Sequence, residues 1–216
     1  MPPLDHFAII APLYARVPYS KKSLMSEAAE LPVKGCLLDV GGGTGRVSFA
    51  IRDLVDEVVV ADVSLGMLKK APRTSTSTLL TVVSASLKPV CGGSESLPFA
   101  DNSFERVITL APRCGCSAGV VDALHHVIDQ AESAREMFRV LKPGGVMVIE
   151  EPDIRTFGVK LIAIVEKLLL MRSTSFPQIR SANFSFPQNP SSHRRLNCLG
   201  YCQKMMQKSE KSTLIM

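Results

Sequence analysis

The sequence contains no tryptophan, and only 6% of its 216 residues are aromatic. It also lacks a long apolar run, because the best candidate, residues 161–171, is interrupted by Glu166 and Lys167 and is too short to span a bilayer. Residues 1–6 show neither the basic nor the apolar region of a secretory signal. These absences predict a cytoplasmic protein without stable membrane insertion.

Patterns typical of metal and nucleic-acid sites are missing as well. None of the six cysteines has zinc-finger spacing, and a chain without a secretory signal favours free thiols. The net charge is +5, but residues 172–216 hold seven Lys or Arg and one acid, so the remainder is close to neutral. No basic face with aromatic or motif support is visible. We expect no metal and no nucleic-acid partner.

The length fits one α/β domain with a sizeable core. Apolar runs predict a first strand near residues 37–40, a second at 57–61, a fourth entered at 104–108 and a fifth at 146–152, with the run 79–83 as the candidate third strand. An amphipathic helix is predicted over residues 132–141. After residue 171 neither a strand pattern nor a long helical stripe is found.

The stretch that organises this chain is a glycine-rich turn between the first strand and a helix. Gly41, Gly43 and Gly45 occupy alternate positions, where they permit positive φ and close approach of a ligand to the backbone. The turn presents free backbone N–H groups at a helix start, which favours a carboxylate or a phosphate. A purely structural loop is the alternative.

The glycine spacing decides between cofactors. The third glycine follows the second by two positions rather than three, which disfavours a nicotinamide dinucleotide, and no lysine closes a P-loop. The pattern D-x-G-x-G-x-G resembles motif I of the class I methyltransferases that use S-adenosylmethionine (SAM). The resemblance implies a doubly wound, mostly parallel Rossmann-like sheet, a loop around the methionine end of SAM, and Asp39 at its amino group.

A second acid, Asp62, ends the second strand. A carboxylate at this position can accept both ribose hydroxyls of an adenosine. The segment beginning with Asp62 and Val63 is similar to the family pattern D-x-S-x-x-M-L, which adds Val63 to the expected cofactor contacts. Ser64 is predicted as the N-cap of the next helix.

Two later segments extend the resemblance. Residues 94–108 resemble the family's link between the third and fourth strands, in which the Ser94 backbone N–H would meet the adenine. The family's adenine-binding acid aligns with Gly93, so the resemblance implies weaker adenine recognition here. Leu-Lys-Pro-Gly-Gly at 141–145, followed by an apolar strand that ends in acids, is the other match.

The N-terminal leader carries an apolar stripe at helical spacing, formed by Phe7, Ile10, Ala11 and Tyr14. Taken alone, the stripe predicts a helix packed on the domain edge. Similar leaders in the family fold over the cofactor, which makes Tyr14 a candidate lid residue.

The substrate side holds the candidate catalytic residues. His125 and His126 lie where the family faces its substrate, so either could act as a general base, or the pair could cap a helix start. Residues 72–90 and 109–121 are unlike the family and are interpreted as insertions, the second of which interrupts the fourth strand.

The chain is therefore predicted to contain a SAM-dependent methyltransferase domain of the small-molecule type over residues 1–171 and a basic, weakly ordered tail over 172–216. It is similar to the ubiquinone/menaquinone C-methyltransferases. The expected reaction transfers a methyl group to an O, C or N nucleophile of a quinone-like acceptor or a secondary metabolite. No sixth or seventh strand is found in the sequence pattern, which favours a sheet that lacks both strands. The alternative function is a catalytically weak or inactive protein with this fold, truncated or able only to bind.

Overall fold

The computed structural model describes residues 8–9, 11–12, 15–16, 18–71, 86–110, 129–151 and 195–200. The helices are α1 (Lys22–Ala28), α2 (Arg46–Ile51), α3 (Leu65–Leu68) and α4 (Gln130–Val140). The strands are β1 (Cys36–Val40), β2 (Glu57–Asp62), β3 (Ser86–Cys91), β4 (Phe104–Leu110), β5 (Leu141–Glu151) and β6 (Arg195–Gly200). In the leader, residues 8–9 and 11–12 are helical and Ala11 is buried, as the apolar stripe predicts.

All six strands form one parallel sheet in the order β3-β2-β1-β4-β5-β6. The chain builds outward from β1 in one direction through β2 and β3, and then continues on the other side with β4. In such sheets, ligands bind at the carboxyl ends of the strands where the order reverses, here between β1 and β4. The predicted doubly wound, mostly parallel sheet is confirmed.

Both faces of the sheet are covered, because successive strand residues point to opposite sides. One core packs Leu37 and Val58 against Met25 of α1 and Ile51 of α2. The other core packs the alternate strand residues against α4. Asp39 lies two positions after Leu37, and therefore faces α2 rather than α4.

Polar caps fix the helix starts. The Ser64 hydroxyl accepts a hydrogen bond from the Met67 N–H at 3.1 Å, which confirms the predicted N-cap of α3. Asp129 caps α4 in the same way, accepting from the Glu132 N–H at 2.9 Å. Helix α4 ends at Val140, one residue before the predicted boundary, and β5 follows directly.

The position predicted for the third strand was wrong. The third strand is Ser86–Cys91 rather than the apolar run 79–83, which lies outside the described residues. This strand is at the sheet edge, and Leu87 is its one buried residue, so it lacks the apolar run of an inner strand.

The tail also contains a strand that the sequence did not reveal. Strand β6 pairs in parallel with β5, from Val146 opposite Arg195 to Glu151 opposite Gly200. Its sequence, Arg-Leu-Asn-Cys-Leu-Gly, neither alternates regularly nor forms an apolar run. One of the two strands expected to be missing is thus present, while no reversed strand occurs among the described residues.

Strand β4 continues through Thr109 to Leu110, so the interruption expected from residue 109 begins no earlier than residue 111. The rest of that segment, and most of the 72–90 segment, lie outside the described residues. Within the described part of the chain, no helix has both the length and the apolarity needed to cross a membrane.

Candidate functional site

The glycine-rich loop between β1 and α2 depends on backbone conformations that glycine favours. Gly41, Gly43 and Gly45 have φ values of 70°, 57° and 69°, in the left-handed region. The Gly41 N–H donates to the carbonyl of Ala61 in β2 at 2.8 Å, which ties the loop to the neighbouring strand. The prediction that these three glycines permit positive φ is confirmed.

Gly42 is a fourth constrained position, which the spacing argument missed. A Cβ atom at Gly42 would lie 2.7 Å from the Asp39 carboxyl group and 2.7 Å from a methyl carbon of Val60. These distances are shorter than real contacts, and both neighbours are buried. A second glycine immediately after Gly41 was the available sequence signal.

Asp39 is a buried carboxyl group beneath the loop. Its side chain is 2% exposed, and it accepts a hydrogen bond of 2.5 Å from the Ser48 hydroxyl of α2. Burial raises the pKa of Asp39 to about 6, and the charge of Asp62 adds to this, whereas the hydrogen bonds from Ser48 oppose it. A cation bound beside this group would favour its ionised form.

The raised pKa predicts a pH-dependent stability. Since the pKa of Asp39 is about 6 in the folded protein and 3.8 in its ordinary state, the folded state binds the proton more tightly. Its contribution to the free energy of unfolding should therefore decrease as the pH rises from about 4 to above 6, by roughly 3 kcal/mol. Urea unfolding of the ligand-free protein and of Asp39→Asn at pH 5 and pH 8 measures this contribution.

Asp39→Asn is the matched control for the natural sequence. Its amide oxygen can still accept the hydrogen bond from Ser48, but the amide group does not ionise. The variant should be more stable than the natural sequence at pH 8 and should lose about half of that advantage at pH 5. An identical pH dependence in both proteins would contradict the assignment.

Asp62 connects the ends of β1 and β2. One carboxylate oxygen accepts from the Gly43 N–H at 2.8 Å, and the other accepts from the Ser64 N–H at 2.7 Å. A carboxylate at the carboxyl end of a parallel strand, beside a glycine-rich loop, can accept hydrogen bonds from adjacent hydroxyl groups of a nucleoside.

Beyond Asp62, the residues Val63, Gly93, Ser94 and Glu95 form a rim that combines apolar and polar groups. Val63 is 71% exposed, which leaves a bare aliphatic side chain next to the carboxylate. Ser94 follows β3, and its hydroxyl lies 2.8 Å from that of Ser133 in α4. A Cβ atom at Gly93 would lie 3.4 Å from a carboxylate oxygen of Glu95, so an acid is present beside the position where the family's acid is absent.

A further polar group, not anticipated from the sequence, lies at the end of β5. Glu150 is 3% exposed and forms an ion pair with Lys21, which follows the leader. Its other carboxylate oxygen and the Tyr19 hydroxyl are both buried, and neither has a hydrogen-bond partner within the described ranges. Burial raises the pKa of Tyr19, as do the negative charges of Glu150 and Asp39. The pairing of Lys21 with Glu150 spans 129 positions and has no local sequence signal.

The structure thus brings together seven of the expected cofactor residues at the carboxyl ends of β1, β2 and β3. They are Asp39, Gly41, Gly43, Gly45, Asp62, Val63 and Ser94. Tyr14, His125 and His126 lie outside the described residues, so their roles remain predictions.

The arrangement fits a nucleoside ligand that carries a cationic group. Among the described residues, a Cβ atom at Gly43 would meet a single atom within 4 Å, an Asp62 oxygen at 3.8 Å, so these residues leave space above the loop. Asp39 supplies a buried negative charge, and Asp62 supplies acceptors for hydroxyls. The site therefore has the parts expected of a Rossmann-like nucleoside site whose ligand is cationic rather than a dinucleotide.

Comparison with protein families agrees with this assignment of class. Residues 38–149, just over half of the chain, match the methyltransferase domain family, and the chain belongs to that family. A demethylmenaquinone methyltransferase of Renibacterium salmoninarum is 32% identical over 157 residues, which are 73% of this chain and 55% of that protein. A ubiquinone/menaquinone biosynthesis C-methyltransferase of Cronobacter sakazakii is 36% identical over 118 residues, which are 53% of this chain and 41% of that protein.

Solved structures support the fold. A SAM-dependent methyltransferase of Thermotoga maritima superposes with a TM-score of 0.55 at 19% identity, covering 82% of this chain and 76% of that one. A protein assigned as a methyltransferase of an antibiotic biosynthesis pathway in Anabaena variabilis gives a TM-score of 0.56 at 22% identity, covering 83% and 64%. The chain spans about half the length of the curated relatives it matches.

Proposed function

We propose that this protein binds S-adenosylmethionine at the carboxyl edge of the sheet and transfers its methyl group to a small-molecule acceptor. The observation that carries the proposal is the double hydrogen bond of Asp62, which holds the glycine loop against the end of β2. Membership of the methyltransferase domain family supports the same cofactor. On bound SAM, the methyl group sits on a positively charged sulfur and is open to displacement by a nucleophile.

Different residues would contact different parts of the cofactor. Asp39 would accept the amino group of the methionine end, around which Gly41 and Gly43 form the loop. Asp62 would accept the ribose hydroxyls, because its carboxylate lies at the carboxyl end of β2 beside the loop.

The adenine end would be held by the rim. Val63 would pack against the ring, and Ser94 would offer its backbone N–H to it. Glu95 supplies a carboxylate near the place left by Gly93, so it is the candidate acceptor for the adenine amino group. Tyr14 would cover the cofactor from the leader.

Catalysis would arise chiefly from positioning of the acceptor and exclusion of water, which suffices for many displacement reactions. Where the acceptor must lose a proton, His125 or His126 is the proposed base. The second carboxylate oxygen of Glu150 and the hydroxyl of Tyr19 are further buried polar groups, and neither has a hydrogen-bond partner among the described residues. None of these steps requires a metal.

A quinone-like acceptor is proposed because several of the curated relatives carry names that refer to quinone biosynthesis. Their identity to this chain, between 32% and 36%, supports the acceptor class without fixing the acceptor atom. We propose that neither nucleic acid nor metal takes part and that the protein works in the cytoplasm.

Calorimetric titration with SAM and, separately, with NADH tests the cofactor. We expect binding of SAM and of its demethylated product, S-adenosylhomocysteine, but not of NADH. Binding of NADH alone would contradict the proposal. Mass spectrometry with a demethylated naphthoquinol as acceptor then measures turnover. Binding of SAM without methylation of any acceptor offered would support the alternative function, a SAM-binding protein without catalysis.

A further inference from the structure

Two hydroxyl groups beside the glycine loop are buried and have no hydrogen-bond partner among the described residues. They belong to Tyr19, at the end of the leader, and to Thr44, inside the loop. Thr44 is 1% exposed, and the Tyr19 side chain packs against the core beneath α1 and α2. Since buried polar atoms are ordinarily hydrogen-bonded, two such hydroxyls point to a ligand group that completes them.

The two side chains that carry these hydroxyls line the same cavity. Its volume of about 600 Å³ is within the roughly 300–1,000 Å³ range of small-molecule pockets, and it lies between the leader, the loop and α2. Because Thr44 is flanked by Gly43 and Gly45, the cavity adjoins the loop that we assign to the methionine end of SAM. The hydroxyls therefore belong to the proposed cofactor site rather than to a second site.

The Tyr19 hydroxyl also lies within electrostatic reach of Asp39. Burial raises the pKa of Tyr19, the negative charges of Glu150 and Asp39 raise it further, and the positive charge of Arg46 opposes them. A phenol with a raised pKa keeps its proton at neutral pH, so Tyr19 is available as a hydrogen-bond donor. The hydroxyl of Thr44 does not ionise in this range either, so both groups can donate.

The methionine end of SAM carries a carboxylate on the same carbon atom as its amino group. In the proposed function Asp39 accepts from the amino group, and no residue is yet assigned to the carboxylate. An ionised carboxylate only accepts hydrogen bonds, so it requires donors beside Asp39. The second acid near Tyr19 does not oppose an anion there, because Glu150 is paired with Lys21.

We propose that the hydroxyls of Tyr19 and Thr44 donate hydrogen bonds to the methionine carboxylate of SAM. The inference rests on the proposed function and adds a selection to it, because the site then distinguishes a cofactor with a complete amino-acid end from one without the carboxylate. Tyr19 supplies its contact from the leader, and Thr44 supplies its contact from the loop. Hydrogen bonds to an ionised acceptor are stronger than neutral ones, so each contact affects affinity measurably.

Decarboxylated SAM is the probe, because it keeps the adenosine, the sulfonium and the amino group and lacks only the carboxylate. Calorimetric titration of the natural sequence should show that it binds at least about tenfold more weakly than SAM, as expected for loss of charge-assisted hydrogen bonds.

Tyr19→Phe and Thr44→Val each remove one hydroxyl and keep the shape of the side chain. Each should weaken SAM binding by about tenfold and leave the binding of decarboxylated SAM within about twofold. Urea unfolding without ligand adds a measurement that is independent of SAM. Both variants should be at least as stable as the natural sequence, since each removes a buried polar atom that has no partner among the described residues.

Ser103→Ala is the matched control. It also removes a hydroxyl, which donates to the Ala100 carbonyl at 2.6 Å in the turn before β4, at the opposite edge of the sheet. This variant should bind SAM and decarboxylated SAM within about twofold of the natural sequence, because the lost hydrogen bond lies away from both ligands.

Failure of SAM to bind the natural sequence would overturn both this inference and the proposed function. Equal affinities for SAM and decarboxylated SAM, or equal weakening of the two ligands by the variants, would overturn the inference alone and leave the cofactor assignment intact. Loss of ligand-free stability in both variants would show that the hydroxyls are paired within the protein, which also contradicts the inference. If only one variant is destabilised, the affinities of the other decide.

Discussion

Replacement of Asp62 by alanine is expected to weaken SAM binding by about a hundredfold or more. Two charge-assisted hydrogen bonds to the ribose hydroxyls would be lost, and each contributes roughly 1.5–3 kcal/mol. The substitution also leaves the Gly43 and Ser64 N–H groups without their acceptor, so the loop loses its tie to β2. Calorimetric titration with SAM measures the change in affinity.

The control for this substitution lies at the opposite end of the same strand. Asp56 precedes β2 and also accepts a backbone hydrogen bond, from the Gly35 N–H at 2.7 Å, but it lies at the edge away from the site. Asp56→Ala should keep SAM affinity within about twofold, because solvent and salt largely screen an exposed charge at the opposite edge of the sheet from the cofactor. Equal losses in the two variants would show that Asp62 acts on the fold rather than on the cofactor.

Gly42→Ala is the second substitution with a large expected effect. The new methyl group would lie 2.7 Å from both the Asp39 carboxyl group and a Val60 methyl carbon. Neither neighbour can move easily, because both are buried and Asp39 is also held by Ser48. We expect a loss of about 1–3 kcal/mol in the free energy of unfolding, which is typical of overpacking, together with weaker SAM binding.

Gly144→Ala is the control for Gly42→Ala, because it adds a methyl group at a strained backbone position without crowding its neighbours. Gly144 has a φ of 77°, yet a Cβ atom there would meet no atom of the described residues within 4 Å. The control should cost about 1–2 kcal/mol of backbone strain and leave SAM affinity unchanged. Urea unfolding and calorimetry measure both quantities in both variants. Gly42→Ala with unchanged SAM affinity would contradict the proposed position of the cofactor.

The parts of the site that could be predicted from the sequence are those encoded locally. Gly41, Gly43 and Gly45 were found because positive φ favours glycine, and Asp62 because it directly follows an apolar strand. The Ser64 cap depends on a contact three residues away. Each of these features lies within one strand-turn-helix unit.

The parts that could not be predicted depend on contacts between distant segments. Nothing in the local pattern links Lys21 to Glu150, which become neighbours through the order of the strands. Strands β3 and β6 lie at the two edges of the sheet that the described residues form, where apolar patterning is weak because a strand there is not enclosed on both sides. Ser48 was missed because its importance comes from the buried carboxyl group of Asp39 that it faces.

The double hydrogen bond of Asp62 also bears on the entropy of ligand binding. Gly43 and Ser64 are already fixed by this carboxylate without a ligand, so the loop has lost its conformational freedom when the protein folds. A cofactor that docks on such a preorganised loop does not have to order it, and more of its contact energy is retained as affinity. The glycine loop is thus a preorganised binding surface, because β2 restrains it twice, Asp62 at Gly43 and the Ala61 carbonyl at Gly41.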